Sequence, residues 1–532
     1  MNLRVIIVLT LIGVFSVILN VVKKDSVPAC MNADEAAFGY NAYSILKTGR
    51  DEYATPAPLR LKSFGDFKMP LYSYLSVPFI ATFGLNETGT RSLNTVLAFF
   101  FPVALFFLSR ELFKNDVSAL VSSFLVASSL GLAILGRQAH EGYLSALLVT
   151  ICCIFFLRWL RIKSKMAFGL LLLSLFFLLL SYQSARIFAI FFFLFAAYKS
   201  LVKQLPIRYL IMFTFALVIF AVPDVLYQPA RVSNLLFYKN PGLGLKTQEL
   251  RQEGGSQVMY NKLTVGATQF LGQHLMYYSP QFLATRGDEN YRFGFSEMPP
   301  ITYVEYLLLF TGLYFLIRQK HKNRDFLIAL LLITPLAGSL SWAGASLTRT
   351  LFLLPLIALI AGYGFVELLK TIPAGKRIFL SIPTALLFLV FFTYGWNFYL
   401  NHYNRRNQVI EAQQCGYEQL GQILKSEYEK TDKIFISKEN GEPYIFTLFY
   451  TEYDPAKYQK QATLSEPDKY GFGQVESYDK YTFRIPSVIP ANSLVVGTPE
   501  DFNNHESLKN IDTSKVRILK TGVNQDFWVY RP

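Results

Sequence analysis

The chain has 532 residues, of which 52% are hydrophobic and 17% are charged, whereas soluble domains carry about 25% charged residues. Apolar stretches of spanning length recur along it, which predicts a polytopic membrane protein and excludes an ordinary soluble domain. A net charge of +14 is typical of nucleic-acid binding in a soluble protein, but here many cations lie in short connectors between apolar runs. There they act as orientation signals beside anionic lipid, so we expect membrane lipids and no nucleic acid as partners.

The first apolar run, residues 5–22, is long enough to cross a bilayer. It lacks a small-residue cleavage site and many more apolar runs follow, so it predicts a retained anchor rather than a signal peptide. Together the runs predict about eleven spans of the ~20-residue length that a bilayer requires. The later runs occupy residues 87–109, 117–134, 143–160, 166–181, 187–202, 207–227, 301–318, 326–341, 349–369 and 378–396.

Clusters of Lys and Arg lie on alternate connectors between these spans, which predicts that those connectors are cytoplasmic. The N-terminus is then inside and the C-terminus outside, so residues 23–86 and 228–300 form external segments. Lys23 and Lys24 lie on the wrong side in this arrangement but are outnumbered by later cations. The cation-rich connectors are residues 158–165, 199–208, 318–324 and 370–377.

The composition changes near residue 397, which predicts a transmembrane domain over 1–396 and an extracytoplasmic α/β domain over 397–532. Residues 411–429 and 443–450 have helical patterns. Runs rich in β-branched and aromatic residues predict strands at 433–437, 493–497, 516–520 and 527–530. The expected fold class is a mostly α polytopic bundle with external amphipathic helices and a C-terminal α/β domain.

The four cysteines, Cys30, Cys152, Cys153 and Cys415, show neither metal-ligand spacing nor a disulfide framework. Cys30 and Cys415 both fall in predicted external segments, so a disulfide and two free thiols both stay open, with free thiols favoured. The sequence assigns no cofactor. A divalent metal stays open, with no ligand set to support it.

Two adjacent carboxylates, Asp34 and Glu35, follow the first span at the head of an amphipathic segment. The pattern of residues 34–46 predicts a helix that ends at Gly49. Its apolar face, which includes Tyr40, is expected to lie on the membrane surface. Acids in a first helical turn are commonly there because the helix dipole stabilises them, but Asp34 also suits a base held at a membrane surface.

A lone lysine, Lys68, follows a glycine-containing turn and precedes an aromatic-rich run. By itself it is typical of an interfacial residue whose ammonium reaches water. Taken in order, the Asp34-Glu35 pair, the G-x-F-K-x-P-L-Y-x-Y element around Lys68, and Arg91 resemble the membrane glycosyltransferases of the GT-C superfamily. The resemblance is to the branch of protein O-mannosyltransferases and aminoarabinose transferases of lipid A, which take a sugar from a polyprenyl-phosphate carrier on the extracytoplasmic face.

The resemblance is strongest over residues 1–200 and implies a role for each matched residue. Asp34 corresponds to the catalytic carboxylate and Glu35 to its partner. Lys68 corresponds to the lysine that faces the lipid phosphate, and Arg91 to the arginine at the start of the second span. Both are expected to bind the donor phosphate. The implied location is the cytoplasmic membrane, with the active site on its outer side.

Two positions depart from the family pattern. Met69 replaces the first proline of the usual K-P-P, and Phe67 stands where aminoarabinose transferases have an acid, with Asp66 one residue earlier. These departures leave the sugar and the acceptor unassigned.

Three polar clusters at outer ends of predicted spans each contain an arginine, namely Arg137, Arg186 and Arg349. A single such arginine is commonly an interfacial anchor. Three on the side where cations are sparse favour binding of a donor phosphate, because the guanidinium fork donates two hydrogen bonds to one anion.

The same clusters contain candidates for contact with the acceptor or substrate: His140, Glu141 and Tyr182, joined by Tyr40 of the first external helix. His140 is more typical of a hydrogen-bonding loop residue than of a base. Aromatic residues in the 228–300 segment suggest a cover over the site.

These residues suit displacement at an anomeric carbon, with Asp34 as a general base that contributes ~10²–10⁴-fold and cations that hold the leaving phosphate. We expect inverting transfer to a lipid, glycan or protein hydroxyl. A transporter or flippase of lipid-linked sugars explains the spans and arginines equally well, but not the external carboxylate pair. An O-antigen ligase or polymerase is a further alternative, although its large loop is expected late among the spans.

Overall fold

The computed structural model describes residues 2–64, 66–226, 236–254, 256–342, 344–466, 475–521 and 526–532. Over these ranges the chain is mostly helical, and its internal contacts divide it into two units. The helical unit comprises Met1–Val22, Asn94–Gly136 and Glu141–Tyr399, and the mixed unit comprises Lys23–Leu93, Arg137–His140 and Leu400–Pro532. The predicted domains 1–396 and 397–532 stay a prediction.

Six helices of the described chain are long and apolar enough to cross a membrane, which supports the predicted polytopic protein. Their apolar side chains recur without the charged face of a soluble helix, because lipid can solvate them all round. The six are Leu3–Val21, Glu87–Phe113, Glu141–Ile162, Gln183–Leu201, Leu353–Lys370 and Ala374–Arg405.

A seventh crossing exists if the helices Asp116–Ser128 and Leu130–Gly136 form one span, although they are bent by 56° at their junction. Three further apolar helices are shorter, at Leu71–Phe83, Lys165–Leu179 and Ile207–Pro223. The expected count of about eleven spans therefore stays a prediction.

The remaining helices of the helical unit follow the seventh predicted span. Two lie in the predicted external segment 228–300, of which residues 228–235 and Gly255 fall outside the described residues. The helices are Pro241–Gln252, Lys262–Met276, Tyr303–Arg318, Arg324–Ile333, Leu336–Ser339 and Leu347–Thr350.

The helices Tyr303–Arg318 and Leu353–Lys370 pack against each other at glycines. A Cβ atom at Gly364 would lie 2.7 Å from the carbonyl oxygen of Leu308, closer than any real Cβ contact. Small residues allow such close backbone approach, which is how helices associate in an environment as apolar as their own surfaces.

The mixed unit contains a seven-stranded sheet and a short antiparallel hairpin. The hairpin joins β1 (Leu61–Ser63) to β2 (Asp66–Lys68). The sheet consists of β3 (Lys433–Ile436), β4 (Thr463–Leu464), β5 (Val475–Tyr478), β6 (Tyr481–Thr482), β7 (Ser493–Gly497), β8 (Val516–Leu519) and β9 (Phe527–Tyr530). Its order is β4-β5-β6-β3-β7-β9-β8, with β3 parallel to β6 and β7 and the other pairs antiparallel.

The predicted strands at 433–437, 493–497, 516–520 and 527–530 are confirmed, as is the helix near 443–450. The predicted single helix over 411–429 is wrong, because it breaks before Gly416, whose φ of +102° suits glycine. The helices of the mixed unit are Ala33–Thr48, Leu71–Phe83, Asn407–Ala412, Tyr417–Glu427, Pro443–Thr451, Pro455–Gln461 and Pro499–Asn504, together with the start of Glu87–Phe113.

One hydrophobic core contains residues from both ends of the mixed unit's chain. Ala36, Ala37 and Tyr40 share it with Phe446 and Phe449 of the C-terminal segment. The expectation that the apolar face around Tyr40 lies on the membrane surface is therefore wrong. The C-terminal segment covers that face and removes it from solvent, which is the main favourable term in such packing.

Cys30 and Cys415 form a disulfide across a separation of 385 residues, so the open choice between a pair and free thiols is resolved in favour of the pair. The bond ties the residue two positions before Asn32 to the start of the C-terminal segment. Spacing alone favoured free thiols because it carries no information about contacts between distant segments. Cys152 and Cys153 are buried free thiols.

Candidate functional site

The helix Ala33–Thr48, which we call the site helix, presents the predicted carboxylates in its first turn. Asn32 caps it by accepting a hydrogen bond from the Glu35 backbone N–H, while the Glu35 side chain returns to the Asn32 backbone in a capping box. Gly49 ends the helix in the left-handed conformation with φ of +69°, as predicted. The capping residues thus determine where the helix begins, and they place Asp34 in its first turn.

Glu35 and Arg91 form a buried bidentate ion pair. Arg91 Nε lies 2.8 Å from Glu35 Oε1, and Nη2 lies 2.9 Å from Oε2. Both side chains are only 1% exposed. Arg91 also donates to the Cys30 carbonyl and to Glu87, so protein acceptors surround its guanidinium.

The 137–140 segment completes the surroundings of Glu35. The backbone N–H of Ala139 donates to Glu35 Oε1 at 2.7 Å. Arg137 is fully buried and donates to the carbonyl oxygen of Val27 at 2.8 Å. Both guanidinium groups are buried, and phosphate binding by Arg91 and Arg137 stays a prediction.

Asp34 and Lys68 face each other at the edge of the mixed unit. The Lys68 ammonium donates to Asp34 Oδ1 at 2.6 Å, with side-chain exposures of 16% for Lys68 and 44% for Asp34. The ammonium also lies 4.4 Å from the ring centroid of Phe64 and 5.4 Å from that of Phe38. Aromatic faces attract a cation, so the rings hold Lys68 beside a carboxylate that stays accessible.

Lys24 joins the cations near Glu35, although sequence reasoning treated it only as an orientation anomaly. Burial, together with the positive charges of Arg91 and Arg137, lowers the pKa of Lys24 to about 8. Two lysines and two arginines thus lie in the mixed unit around the start of the site helix.

Glu52 is a buried carboxyl that sequence reasoning missed. The Tyr444 hydroxyl donates to Glu52 Oε1 at 3.3 Å, and the Glu52 backbone N–H donates to Asn41 Oδ1. Burial and the neighbouring charge of Asp51 raise the pKa of Glu52 to about 8, while the charge of Lys68 acts in the opposite direction. The available signal was an acidic pair placed directly after a helix stop.

The C-terminal segment holds the site helix at three further points. Gln414 accepts a hydrogen bond from the Ala33 backbone N–H at 3.0 Å. Tyr40 is fully buried and donates to the carbonyl oxygen of Tyr453 at 3.1 Å, which places it in the core rather than at an acceptor surface. Gln459 donates to the hydroxyl of Ser44 and to the carbonyl oxygen of Asp51, just after the helix end.

His140 lies in the mixed unit and is half-buried. Glu141 is the first residue of the helix Glu141–Ile162 and belongs to the helical unit. Contact of either residue with an acceptor or substrate stays a prediction. Within the described ranges, no group of three or more His, Cys, Asp or Glu side chains is arranged to hold a metal ion.

The other predicted residues belong to the helical unit. Arg186 begins the helix Arg186–Leu201, and Tyr182 precedes it. Arg349 donates to the Ser341 hydroxyl at 2.9 Å, while Ala343 of the same cluster falls outside the described residues. The structure does not bring these residues into the same unit as Asp34.

Asp288 holds the loop that carries Arg349. It accepts hydrogen bonds from the backbone N–H of Leu347 at 2.6 Å and from the Ser346 hydroxyl at 3.3 Å. Tyr277 accepts a further bond from the Ser346 N–H. Asp288 and Tyr277 of the 228–300 segment thus support a loop of the helical unit, and a cover over the site stays a prediction.

No protein-family model matches the sequence, and no curated protein sequence matches it. The structure is similar to that of the aminoarabinose transferase ArnT from Cupriavidus metallidurans bound to undecaprenyl phosphate, with 10% identity, a TM-score of 0.57, and coverage of 98% of this chain and 97% of ArnT.

It is also similar to the archaeal oligosaccharyltransferase AglB from Archaeoglobus fulgidus in complex with an inhibitory peptide and a dolichol-phosphate. There the identity is 12% and the TM-score 0.53, with coverage of 94% of this chain and 70% of AglB. Because the likeness extends over nearly the whole chain, the protein has the fold of the GT-C membrane glycosyltransferases.

Proposed function

We propose that this protein is a membrane glycosyltransferase that moves a sugar from a polyprenyl-phosphate-linked donor to a hydroxyl group. The observation that carries the proposal is the accessible carboxylate of Asp34, paired with Lys68 at 2.6 Å. A carboxylate and a cation in contact provide the two functions that this reaction requires, a base and an anion-binding group. The acceptor hydroxyl belongs to a lipid, a glycan or a protein.

In the proposed reaction Asp34 accepts the proton of the acceptor hydroxyl as its oxygen attacks the anomeric carbon. The bond between that carbon and the phosphate oxygen breaks, and the electron pair leaves with the polyprenyl phosphate. One displacement inverts the anomeric centre. The base contributes about 10²–10⁴-fold, and the cation stabilises the charge that develops on the leaving phosphate.

Lys68 has a double role in this proposal. Before the donor binds, its ammonium pairs with the Asp34 carboxylate at 2.6 Å. A donor phosphate competes with Asp34 for the same ammonium. If the Lys68 ammonium shifts its hydrogen bond from Asp34 to the donor phosphate, the Asp34 carboxylate becomes free to accept a proton. Donor binding would then activate the base.

The buried ion pair of Glu35 and Arg91 orients the site helix in this proposal rather than contacting substrate. Arg137 and the backbone of Ala139 support it from the 137–140 segment. Buried pairs specify position because breaking them leaves an uncompensated charge. Phosphate binding by Arg186 and Arg349 stays a prediction.

Two observations support a lipid-linked donor on the extracytoplasmic side. This chain shares the fold of ArnT, solved bound to undecaprenyl phosphate, and of AglB, solved in complex with a dolichol-phosphate. The Cys30–Cys415 disulfide lies in the mixed unit, and disulfides persist in oxidising compartments. Both agree with an integral protein of the cytoplasmic membrane that acts on its outer face.

The test uses purified full-length protein in detergent, where a flippase has no membrane to cross. Wild-type protein is supplied with undecaprenyl-phosphate sugars and a panel of lipid, glycan and peptide acceptors. Asp34→Asn keeps the shape of the side chain but removes its charge, so transfer should fall by about two orders of magnitude. Asp325→Asn, at an exposed carboxylate paired with Arg324, is the matched control and should transfer as wild type does. Robust transfer by Asp34→Asn would refute the role of the base.

A further inference from the structure

A charged cavity of about 740 Å³ lies in the helical unit, where two helix turns meet. One turn joins the helix Glu87–Phe113 to Asp116–Ser128, and the other is the C-terminal end of the helix Glu141–Ile162, which carries Arg158 and Arg161. The cavity contains four cations and two carboxylates, from the side chains Arg110, Glu111, Lys114, Asp116, Arg158 and Arg161. All six belong to the helical unit, and none takes part in the site proposed above.

Ion pairs connect the two turns and leave positive charge in excess. Arg161 lies 2.8 Å from Glu111, which also pairs with Lys114 at 3.3 Å. Arg110 lies 2.9 Å from Asp116. Within the described residues Arg158 makes no ion pair, and its side chain is exposed.

The cations are arranged so that they can exchange partners. Arg110, Lys114 and Arg161 are between 39% and 48% exposed. Exposed pairs of this kind contribute little to stability. An incoming anion therefore meets little resistance from the existing pairs.

Apolar side chains line the same cavity. Phe107 and Val117 are 43% and 59% exposed. Both stand one turn of helix or less from the charged residues, at the ends of helices that are candidates to cross the membrane. A ligand that fits this boundary has an anionic head and an apolar tail, which a free anion lacks.

We propose that this cavity binds the phosphate head group of an anionic membrane phospholipid, with its acyl chain along Phe107 and Val117. Guanidinium groups donate paired hydrogen bonds to a phosphate. Basic pockets between the ends of membrane helices commonly bind anionic lipid head groups. The net positive charge of the cavity explains the preference over a zwitterionic lipid.

The test measures lipid binding to the purified full-length protein by native mass spectrometry and by thermal shift in detergent. The probes are phosphatidylglycerol, phosphatidylcholine with the same acyl chains, and inorganic phosphate. Phosphatidylglycerol should bind at least about tenfold more tightly than phosphatidylcholine, since each nearby cation favours an anionic lipid by about fivefold. The preference should weaken at high salt because exposed charges are screened.

Variants locate the site. Arg158→Ala and Lys114→Ala should each weaken phosphatidylglycerol binding by about fivefold and leave phosphatidylcholine binding unchanged. Lys376→Ala removes an exposed cation on another connector and should have no effect. Equal binding of the two lipids by wild-type protein, or variants that bind as wild type does, would overturn the proposal. Full displacement of the lipid by an equal concentration of inorganic phosphate would overturn the assignment to a lipid.

Discussion

The Lys68 ammonium lies 2.6 Å from the Asp34 carboxylate, although the two residues are 34 positions apart in the sequence. Asp34 stands in the first turn of the site helix, and Lys68 ends the strand β2. Their contact leaves the carboxylate accessible while two aromatic rings flank the ammonium. The base and the anion-binding group of the proposed reaction thus begin as partners of each other.

Lys68→Ala is expected to weaken use of the lipid-linked donor. Loss of one charge-assisted contact costs about 1.5–3 kcal/mol, so the apparent donor affinity should fall by about tenfold to a hundredfold. A donor titration of sugar transfer measures it. Lys62→Ala, on the neighbouring strand β1, is the matched control, and an unchanged donor affinity in Lys68→Ala would remove Lys68 from phosphate binding.

Arg91→Ala is expected to act chiefly on stability, because it leaves Glu35 buried without its cation. Breaking a buried ion pair costs about 3–5 kcal/mol. Thermal unfolding in detergent should show a clear loss of stability. Arg324→Ala, which breaks an exposed pair with Asp325, should cost no more than about 1 kcal/mol. If Arg91→Ala unfolds like wild type and binds donor poorly, Arg91 contacts the phosphate instead.

Glu52 should make the protein less stable as the pH rises. Burial, with the charge of Asp51, raises its pKa in the folded chain from 4.5 to about 8. Between these values the folded chain holds a proton that the unfolded chain has released, so the free energy of unfolding decreases with increasing pH.

Glu52→Gln removes this titrating carboxyl, so the melting temperature should depend less on pH between pH 5 and about 8. Glu439→Gln, at an exposed carboxyl, should retain the wild-type slope. Equal slopes in wild type and Glu52→Gln would show that Glu52 is ionised throughout.

The Cys30–Cys415 disulfide should stabilise the mixed unit by about 2–5 kcal/mol. Reductant should therefore lower the melting temperature of wild-type protein. The double variant Cys30→Ser/Cys415→Ser should melt at this lower temperature with or without reductant, since it retains only the buried thiols Cys152 and Cys153. A wild-type melting temperature that is insensitive to reductant, under conditions that demonstrably release both thiols, would contradict this.

The membrane topology predicted from the sequence places residues 228–300 and the connector 318–324 on opposite sides of the membrane. Single cysteines placed at Ser256 and Lys322, both exposed, should be labelled from opposite sides by an impermeant thiol reagent. The buried Cys152 and Cys153 should react little and serve as internal controls. Labelling of both introduced cysteines from outside would show the span assignment to be wrong.

Much of the local structure follows from the sequence. The site helix and its end at Gly49 are predicted by capping residues and by the positive φ that glycine permits. The apolar runs predict membrane helices because lipid requires uninterrupted hydrophobic length. Four strands of the sheet, β3, β7, β8 and β9, are visible as runs rich in β-branched and aromatic residues, whereas the short strands β4, β5 and β6 were not predicted. Each of these signals arises from neighbours in the chain.

The contacts of the site depended on the tertiary structure. The sequence pattern identified Glu35 and Arg91 but did not predict that they form a buried ion pair. It did not identify Glu52, and it did not assign Lys24 to the site. It also directed the Tyr40 face to the membrane, whereas the C-terminal segment covers it. These contacts join segments that lie tens to hundreds of residues apart. Local periodicity shows which face of a helix is buried, but the partner of that face is decided only when the whole chain packs.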